Sequence, residues 1–303
     1  APVVAVLELS SFQLESLASL KKSPHVAVVT NLTPNHLDRH KTMEEYAKAK
    51  QTILRHQASH DLLVLNGEDP ETSRWGTMAR GARAFIGQVP EGASGALYAW
   101  RGGEAFVRRV GSERRLFVDT DLRIPGAHNR RNALAAAAVG DWFSMSPGRI
   151  ADGLRAFLGL PDRLEFVSEV RGVRYINDSC STTPESTIEG LRAYEKPVLL
   201  ILGGKDKGMD LDAIVREASL RARQVFLVGK IAPALLARFQ ASAAQGPLER
   251  VVEAGTLDRA VKEAAAAAAS GETVLLSPAF ASTDQFRNYQ ERAAAFKRLV
   301  GAL

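Results

Sequence analysis

Short apolar runs alternate with amphipathic segments along the first part of the chain. Predicted strands at residues 3–7, 26–31 and 62–66 are built on continuous apolar runs, as expected for parallel strands buried on both faces of a sheet. The segments at residues 12–20 and 43–58 have the spacing of helices that pack one face on such a sheet. This alternation predicts a doubly wound, mostly parallel α/β fold.

The pattern changes between residues 84 and 118. Four short apolar runs are separated there by glycine-containing turns such as residues 101–103, which predicts a small antiparallel addition to the first domain. An alanine-rich helix is predicted at residues 133–143, directly after Asn129 and Asn132. Because these two asparagines are three positions apart, they would share one face of a first helical turn and could bind a purine edge; helix capping is the alternative.

The second half of the chain repeats the alternation and predicts a second doubly wound domain. Its predicted strands are residues 173–177, 198–202, 224–228 and 273–276, and its predicted helices are residues 184–194, 211–222, 232–241 and 257–270. The segment Gly-Leu-Pro-Asp-Arg at residues 159–163 separates the two halves. We therefore predict two domains, residues 1–161 and 162–303.

Composition narrows the class of protein. The 303 residues are 46% hydrophobic and 24% charged, which is typical of globular proteins, and the formal net charge is +5. The basic residues are spread along the chain without interleaved aromatic residues, so we expect no nucleic-acid partner. The single cysteine, Cys180, excludes an internal disulfide and suits a reducing, cytoplasmic location, and no apolar stretch has membrane-spanning length.

Candidate chemistry is concentrated at predicted strand ends. Glu8 follows the first apolar run, and the stretch at residues 30–50 carries His36 after the second run and Lys50 on a predicted helix. In open α/β sheets, ligands bind at the carboxyl ends of the strands. Solvated charges and capping by Ser10 or Ser11 are the structural alternative.

Three loops of the second domain are predicted to meet at one sheet edge, at residues 177–184, 202–208 and 277–284. The first and last contain hydroxyl side chains that we expect beside helix starts, where backbone N–H groups favour anions. The middle loop has two lysines on the turn Gly203-Gly204, which would let a carboxylate or phosphate approach the backbone.

Seven segments, in order along the whole chain, carry a resemblance to a known family. They are VLELSSFQLE (6–15), TNLTPNHLDRH (30–40), PGAHNRRN (125–132), GLPDRLE (159–165), NDSCSTTPEST (177–187), LGGKDKGMDL (202–211) and LSPAFASTDQFRNYQER (276–292). Together they resemble the Mur ligase family, most closely its D-glutamate-adding members.

The resemblance implies a cytoplasmic, monomeric enzyme of peptidoglycan synthesis, and hence of cell-wall growth and cell division. ATP would phosphorylate the carboxylate of UDP-N-acetylmuramoyl-L-alanine, and D-glutamate would attack the acyl phosphate to form an amide. Mg²⁺ would neutralise phosphate charge. The first domain would be the central ATP-binding domain, and the second a Rossmann-like domain that binds the amino acid.

The resemblance also implies roles for individual residues. Glu8 and His36 match magnesium ligands, and Lys50 matches a lysine that becomes a metal ligand by carbamylation. The expected ATP contacts are Asn129, Asn132, Arg163 and Asp178. The expected D-glutamate contacts are Thr182, Lys207, Ser282, Thr283 and Tyr289.

Two departures from the family pattern affect these expectations. Cys180 occupies a position where the family has lysine, and the sequence has no G-x-x-x-x-G-K-[ST] pattern. We therefore expect a chain that begins inside the ATP-binding domain, after the UDP-binding domain and P-loop, and that is a weak ligase alone. A noncatalytic nucleotide- or amino-acid-binding remnant and a folylpolyglutamate-type or other Mur ligase remain alternatives.

Overall fold

The computed structural model describes residues 3–33, 37–206, 208–242 and 246–303. They divide into two compact units. The first contains the residues up to Leu122 together with Asn129–Phe157, and the second contains Arg123–His128 and Leu158–Leu303. This agrees with an α/β chain organised in two parts; the assignment of residues 1–161 to ATP and 162–303 to an amino acid stays a prediction.

The first unit is built on a six-stranded sheet in the order β1-β2-β3-β4-β5-β6. Its strands are β1 (Val26–Val29), β2 (Leu62–Asn66), β3 (Ala82–Ile86), β4 (Ala96–Arg101), β5 (Glu104–Arg109) and β6 (Ser112–Val118). β1 to β4 pair in parallel, and β4 to β6 form an antiparallel meander. The predicted antiparallel addition is therefore confirmed for β4 to β6, whereas β3 belongs to the parallel part.

Helices cover both faces of this sheet. They are α1 (Ser11–Leu17), α2 (Leu37–His40), α3 (Met43–Arg55), α4 (Ala127–Trp142) and α5 (Pro147–Ala156). Leu62 and Val64 of β2 pack in a cluster with alanines of α4, while Leu63 and Leu65 pack with Tyr46 and other residues of α3. Alternate residues of a buried strand thus supply two cores, which is why residues 62–65 of β2 are all apolar.

The predicted strand at residues 3–7 is wrong. These residues have no helix or strand assignment, and the side chains of Val3, Val6 and Leu7 are 94%, 90% and 73% exposed. A strand requires a hydrogen-bonded neighbour, and no strand in the described part of the chain pairs with this segment.

The second unit has a sheet in the order β11-β10-β9-β12-β8-β7. Its strands are β7 (Glu165–Val170), β8 (Val173–Asn177), β9 (Val198–Gly203), β10 (Ala222–Val228), β11 (Arg250–Gly255) and β12 (Thr273–Ala279). All neighbours pair in parallel except β7 and β8.

The described helices that enclose the second sheet are α6 (Pro184–Arg192), α7 (Asp212–Arg221), α8 (Ala232–Ala241), α9 (Leu257–Ala267) and α10 (Tyr289–Gly301). One cluster joins the sheet to α6, α7 and α8, and another joins its opposite face to α9 and α10. The strand order brings the carboxyl ends of β9, β12 and β8 side by side, so the loops that follow them share one edge. No helix among the described residues is long and apolar enough to cross a membrane.

Candidate active site

Glu8 and Lys50 are brought together in the first unit. The Ser10 hydroxyl caps α1 by accepting a hydrogen bond from the Gln13 N–H, and the side-chain oxygen of Gln13 accepts one from the Ser10 N–H. These two bonds fix the chain just after Glu8. Glu8 itself is exposed, and Lys50 is half-buried on α3 with Nζ 5.8 Å from the centre of the Tyr46 ring. Burial lowers the pKa of Lys50, and the Glu8 carboxylate partly opposes that change. A lysine of lowered pKa has more neutral amine available for reaction with an electrophile.

A buried histidine lies beside this pair. Nε2 of His40 is 2.8 Å from the Ser11 hydroxyl, and its Nδ1 is 3.3 Å from the Glu15 carboxylate. Its ring stacks on Phe12 and packs against Tyr46. His40 thus joins α2 to α1 and α3, a contact that the sequence pattern did not predict.

His36, the second expected magnesium ligand, lies outside the described residues. The loop that leads to it is anchored where Leu32 N–H donates to the Asp69 carboxylate, at 3.2 Å. Asp69 also accepts from the N–H groups of Glu71 and Thr72, so it connects the loop after β1 with the turn after β2.

Asn129 and Asn132 both lie in the first turns of α4. That helix begins at Ala127, earlier than the predicted residue 133, so the shared face expected from their spacing is present. Asn129 is half-buried and Asn132 is exposed.

The three loops of the second unit are connected by backbone hydrogen bonds. The Ala279 N–H donates to the Ser181 carbonyl at 3.0 Å, and the Lys205 N–H donates to the Ala281 carbonyl at 2.8 Å. A Cβ on Gly204 would lie 2.3 Å from the Ala281 carbonyl oxygen. Gly204 therefore permits one loop to approach another, in place of the ligand approach that its turn predicted.

Arg292 is the buried residue that holds two of these loops. Only 2% of it is exposed, and its guanidinium donates to the Ser179 hydroxyl and carbonyl and to the Phe280 carbonyl at 2.9–3.1 Å. Burial lowers the pKa of Arg292 to about 10. The residue lies in the quoted segment 276–292, but its role was missed because it depends on a tertiary contact.

Asp178 is also buried and serves as an acceptor. Its carboxylate accepts from the Ser277 hydroxyl at 2.6 Å and from the Leu164 N–H at 3.2 Å. Burial raises the pKa of Asp178 to about 6, against the opposing effect of these hydrogen bonds and of Arg163.

Arg163 is exposed between two residues with left-handed backbone conformations, Asp162 (φ 64°) and Leu164 (φ 44°). The strained turn is held by its neighbours: Asn177 donates to the Asp162 carboxylate at 2.9 Å, and Lys297 pairs with it at 3.2 Å. Strained backbone that is fixed by its surroundings is common at functional sites.

The expected D-glutamate contacts differ in their surroundings. Thr182 and Tyr289 are half-buried, Ser282 is buried and Thr283 is exposed; Lys207 lies outside the described residues. Thr183 rather than Thr182 caps α6, and α10 is capped by Asn288, so Ser282 does not stand beside a helix start as expected.

Cys180 lies next to Tyr289. The Cys180 side chain, together with partial burial, raises the pKa of Tyr289, and the Cys180 N–H donates to the Asp162 carbonyl at 3.0 Å. The half-buried thiol is thus part of the same loop cluster as Thr182.

Comparison with known proteins gives the family. The Mur ligase middle domain matches residues 2–140, and the domain described as Mur ligase, glutamate ligase domain matches residues 162–280. A UDP-N-acetylmuramoylalanine–D-glutamate ligase of Symbiobacterium thermophilum is 40% identical over 301 residues, covering 99% of this chain and 65% of the relative. One of Thermoanaerobacter is 38% identical over 298 residues, covering 98% of this chain and 64% of the relative.

Solved structures show the same fold. The UDP-N-acetylmuramate-alanine ligase of Thermotoga maritima matches 96% of this chain and 62% of its own, with a TM-score of 0.65 and 18% identity. The MurF ligase of the same organism, solved in complex with ADP, matches 95% of this chain and 65% of its own, with a TM-score of 0.64 and 17% identity. The chain belongs to the Mur ligase family, and it spans less than two thirds of the length of these relatives.

Proposed function

We propose that this chain forms the ATP-binding and amino-acid-binding parts of a ligase that joins D-glutamate to UDP-N-acetylmuramoyl-L-alanine. The observation that carries the proposal is the connected loop cluster of the second unit, in a chain whose relatives are named D-glutamate ligases. We further propose a monomeric, cytoplasmic protein with its ATP-binding domain at residues 1–161 and its amino-acid domain at residues 162–303.

The second unit would hold D-glutamate. Hydroxyls of Thr182, Ser282, Thr283 and Tyr289, with the cation of Lys207, are the donors that two carboxylates require. Arg292 would not touch the ligand, because its hydrogen bonds go to Ser179 and Phe280. Its role would be to hold the loops that carry the donors.

The first unit would supply the magnesium ligands Glu8 and His36, with Lys50 as a carbamate. The fit rests on Glu8, which is an exposed carboxylate close enough to Lys50 to affect its pKa. Oxygen atoms are the ligands that Mg²⁺ prefers, and a carbamate made from the neutral amine and CO₂, with release of a proton, provides two more. When bound, Mg²⁺ would neutralise charge on the ATP phosphates.

Four residues are proposed for nucleotide contacts. Asn129 and Asn132 would bind the adenine edge, Arg163 the phosphates and Asp178 the ribose. Asp178 would also position the turn that carries Arg163, because it is buried and accepts hydrogen bonds from Ser277 and from the Leu164 N–H.

The reaction would have two steps. A carboxylate oxygen of UDP-N-acetylmuramoyl-L-alanine attacks the γ-phosphorus of ATP, and ADP leaves with the electrons of the broken P–O bond. The amine of D-glutamate then attacks the acyl carbon, losing a proton, and inorganic phosphate leaves. Charge neutralisation and positioning dominate the first step, and the neutral amine is required for the second.

A second candidate is a chain that binds nucleotide or amino acid without ligation. Cys180 favours it, because a thiol supplies no positive charge where the family pattern has lysine. A ligation assay with ATP and both substrates separates the two candidates. If the Cys180→Lys variant forms amide product and the original chain does not, the chain is an impaired ligase.

Equilibrium dialysis of the 303-residue chain against labelled amino acids tests the proposal. We expect saturable binding of D-glutamate and none of L-glutamate, L-alanine or L-lysine. Thr283→Ala should weaken binding, whereas Thr77→Ala, which removes an exposed hydroxyl in the first unit, should not. Equal binding of D- and L-glutamate, or preference for another amino acid, would contradict the D-glutamate assignment.

A further inference from the structure

Two histidines and an aspartate meet at the amino-terminal ends of β1 and β2. Nδ1 of His25 lies 2.8 Å from Oδ1 of Asp61, and Nε2 of His60 lies 3.5 Å from the same oxygen. One ligand atom from each residue lies within 4.8 Å of the others. The loop that leads toward His36 follows the opposite end of β1, and Lys50 lies on α3, so the cluster is formed by other segments than the candidate magnesium ligands.

The carboxylate is held in place by the backbone. Oδ2 of Asp61 accepts from the Ala58 N–H at 2.6 Å, and only 6% of the side chain is exposed. Leu62 N–H donates to the His25 carbonyl at 2.8 Å, and the Gln57 amide donates to the Pro24 and Leu62 carbonyls. The chain segments on either side of the cluster are thereby fixed before any ligand binds.

The two imidazoles are open to solvent. The His25 and His60 side chains are 81% and 71% exposed, and their ring centres are 5.6 Å apart. Ligand atoms in a tetrahedral zinc site are about 3.3 Å apart for bonds of about 2.05 Å. The distances of 2.8 and 3.5 Å from the Asp61 oxygen to the two histidine nitrogens bracket that value, and the two nitrogens lie within 4.8 Å of each other, so rotation of the exposed rings would bring the three atoms to the spacing of a metal site.

We propose that His25, His60 and Asp61 bind one divalent transition-metal ion of the zinc class. Two imidazole nitrogens and one carboxylate oxygen suit Zn²⁺, Co²⁺ or Ni²⁺, whereas Mg²⁺ prefers oxygen ligands, and water would fill the remaining positions. Binding through Nδ1 of His25 would replace the hydrogen bond between that nitrogen and Asp61, and the neutral imidazole would then carry its proton on Nε2.

Binding would join two segments of the first unit. His25 precedes β1, and His60 and Asp61 precede β2, so the ion would cross-link the starts of two neighbouring strands. Because it binds the folded arrangement, it should raise the midpoint of thermal unfolding in proportion to the logarithm of its concentration.

Titration of the 303-residue chain with Co²⁺, in excess Mg²⁺, tests the site through visible absorption of the protein-bound ion. We expect one equivalent of Co²⁺ to give ligand-field bands that Zn²⁺ displaces, and both metals to raise the unfolding midpoint. His25→Ala and His60→Ala should each weaken binding about tenfold or more. Because both histidine side chains are exposed, neither substitution should unfold the protein, and circular dichroism checks that each variant is folded.

His36→Ala is the matched control, because it removes a histidine from the other candidate metal site. It should keep the bands and the thermal shift. Absence of saturable Co²⁺ binding, or binding unchanged in His25→Ala and His60→Ala, would overturn the proposal. Loss of the bands in His36→Ala alone would also overturn it, because the ion would then be at the proposed magnesium site.

Discussion

The buried Ser11 hydroxyl lies 2.8 Å from Nε2 of His40, and the pair joins the helix after Glu8 to the helix after the His36 loop. Removing the imidazole would leave the Ser11 hydroxyl without this partner and a cavity beside Phe12. We expect His40→Ala to lower the free energy of unfolding by about 2 kcal/mol. Urea denaturation measures the change, and His56→Ala, a half-buried histidine outside this cluster, should change it by less than about 0.5 kcal/mol.

Arg292 should be necessary for the loop cluster. Arg292→Met keeps most of the side-chain volume but leaves the Ser179 and Phe280 carbonyls without their donor. We expect the free energy of unfolding to fall by about 2–4 kcal/mol and D-glutamate binding to weaken. Arg298→Met, an exposed position on the same helix, is the control; equal effects of both variants would contradict the assigned role.

Lys50 should react as a neutral amine at lower pH than Lys48. Burial lowers the pKa of Lys50, whereas the hydrogen bond and charge of Glu44 raise that of Lys48, two positions earlier on the same helix. Competitive labelling with acetic anhydride from pH 7 to 11, read by peptide mass spectrometry, should show Lys50 labelled first. With ¹³C-bicarbonate, a carbamate signal should appear and be absent in Lys50→Arg; the same signal in that variant would refute carbamylation there.

Asp178 should make stability depend on pH. Its pKa is raised on folding from 3.8 to about 6, so its contribution is fully present below pH 3.8 and is lost as the pH rises to about 6. The loss over that interval is about 3 kcal/mol. Asp178→Asn removes this titration. The free energy of unfolding of Asp178→Asn relative to the original chain should therefore rise between pH 4 and 6 and stay constant above; a constant difference throughout would contradict the raised pKa.

The sequence predicted the central strands better than the edge strands, for a physical reason. In the second sheet, β9 is buried throughout and β8, β10 and β12 are built mainly on buried apolar residues, whereas β7 and β11 lie at the sheet edges and carry exposed polar residues. An edge strand has only a weak pattern of its own. Residues 3–7 differ for another reason: the run is apolar, but no strand in the described part of the chain pairs with it.

Loop chemistry could be predicted only in part. The meeting of three loops at one edge followed from parallel strands, and the structure confirms it. Which residue performs which task did not follow: Thr183 rather than Thr182 caps α6, and Gly204 admits the Ala281 carbonyl. The Gly204 approach joins residues that lie far apart in sequence, which local patterns do not contain, whereas the Thr183 cap is a local contact with Ser186.

The most direct test uses Cys180, the single cysteine, as a reporter beside Tyr289 in the proposed D-glutamate site. The rate of Cys180 alkylation by iodoacetamide would be measured against increasing D-glutamate, with L-glutamate as the control. We predict that D-glutamate slows alkylation to a saturating limit, that L-glutamate does not, and that Thr283→Ala shifts the midpoint to higher D-glutamate. Equal rates with and without D-glutamate, or equal protection by both enantiomers, would contradict a D-glutamate site at these loops.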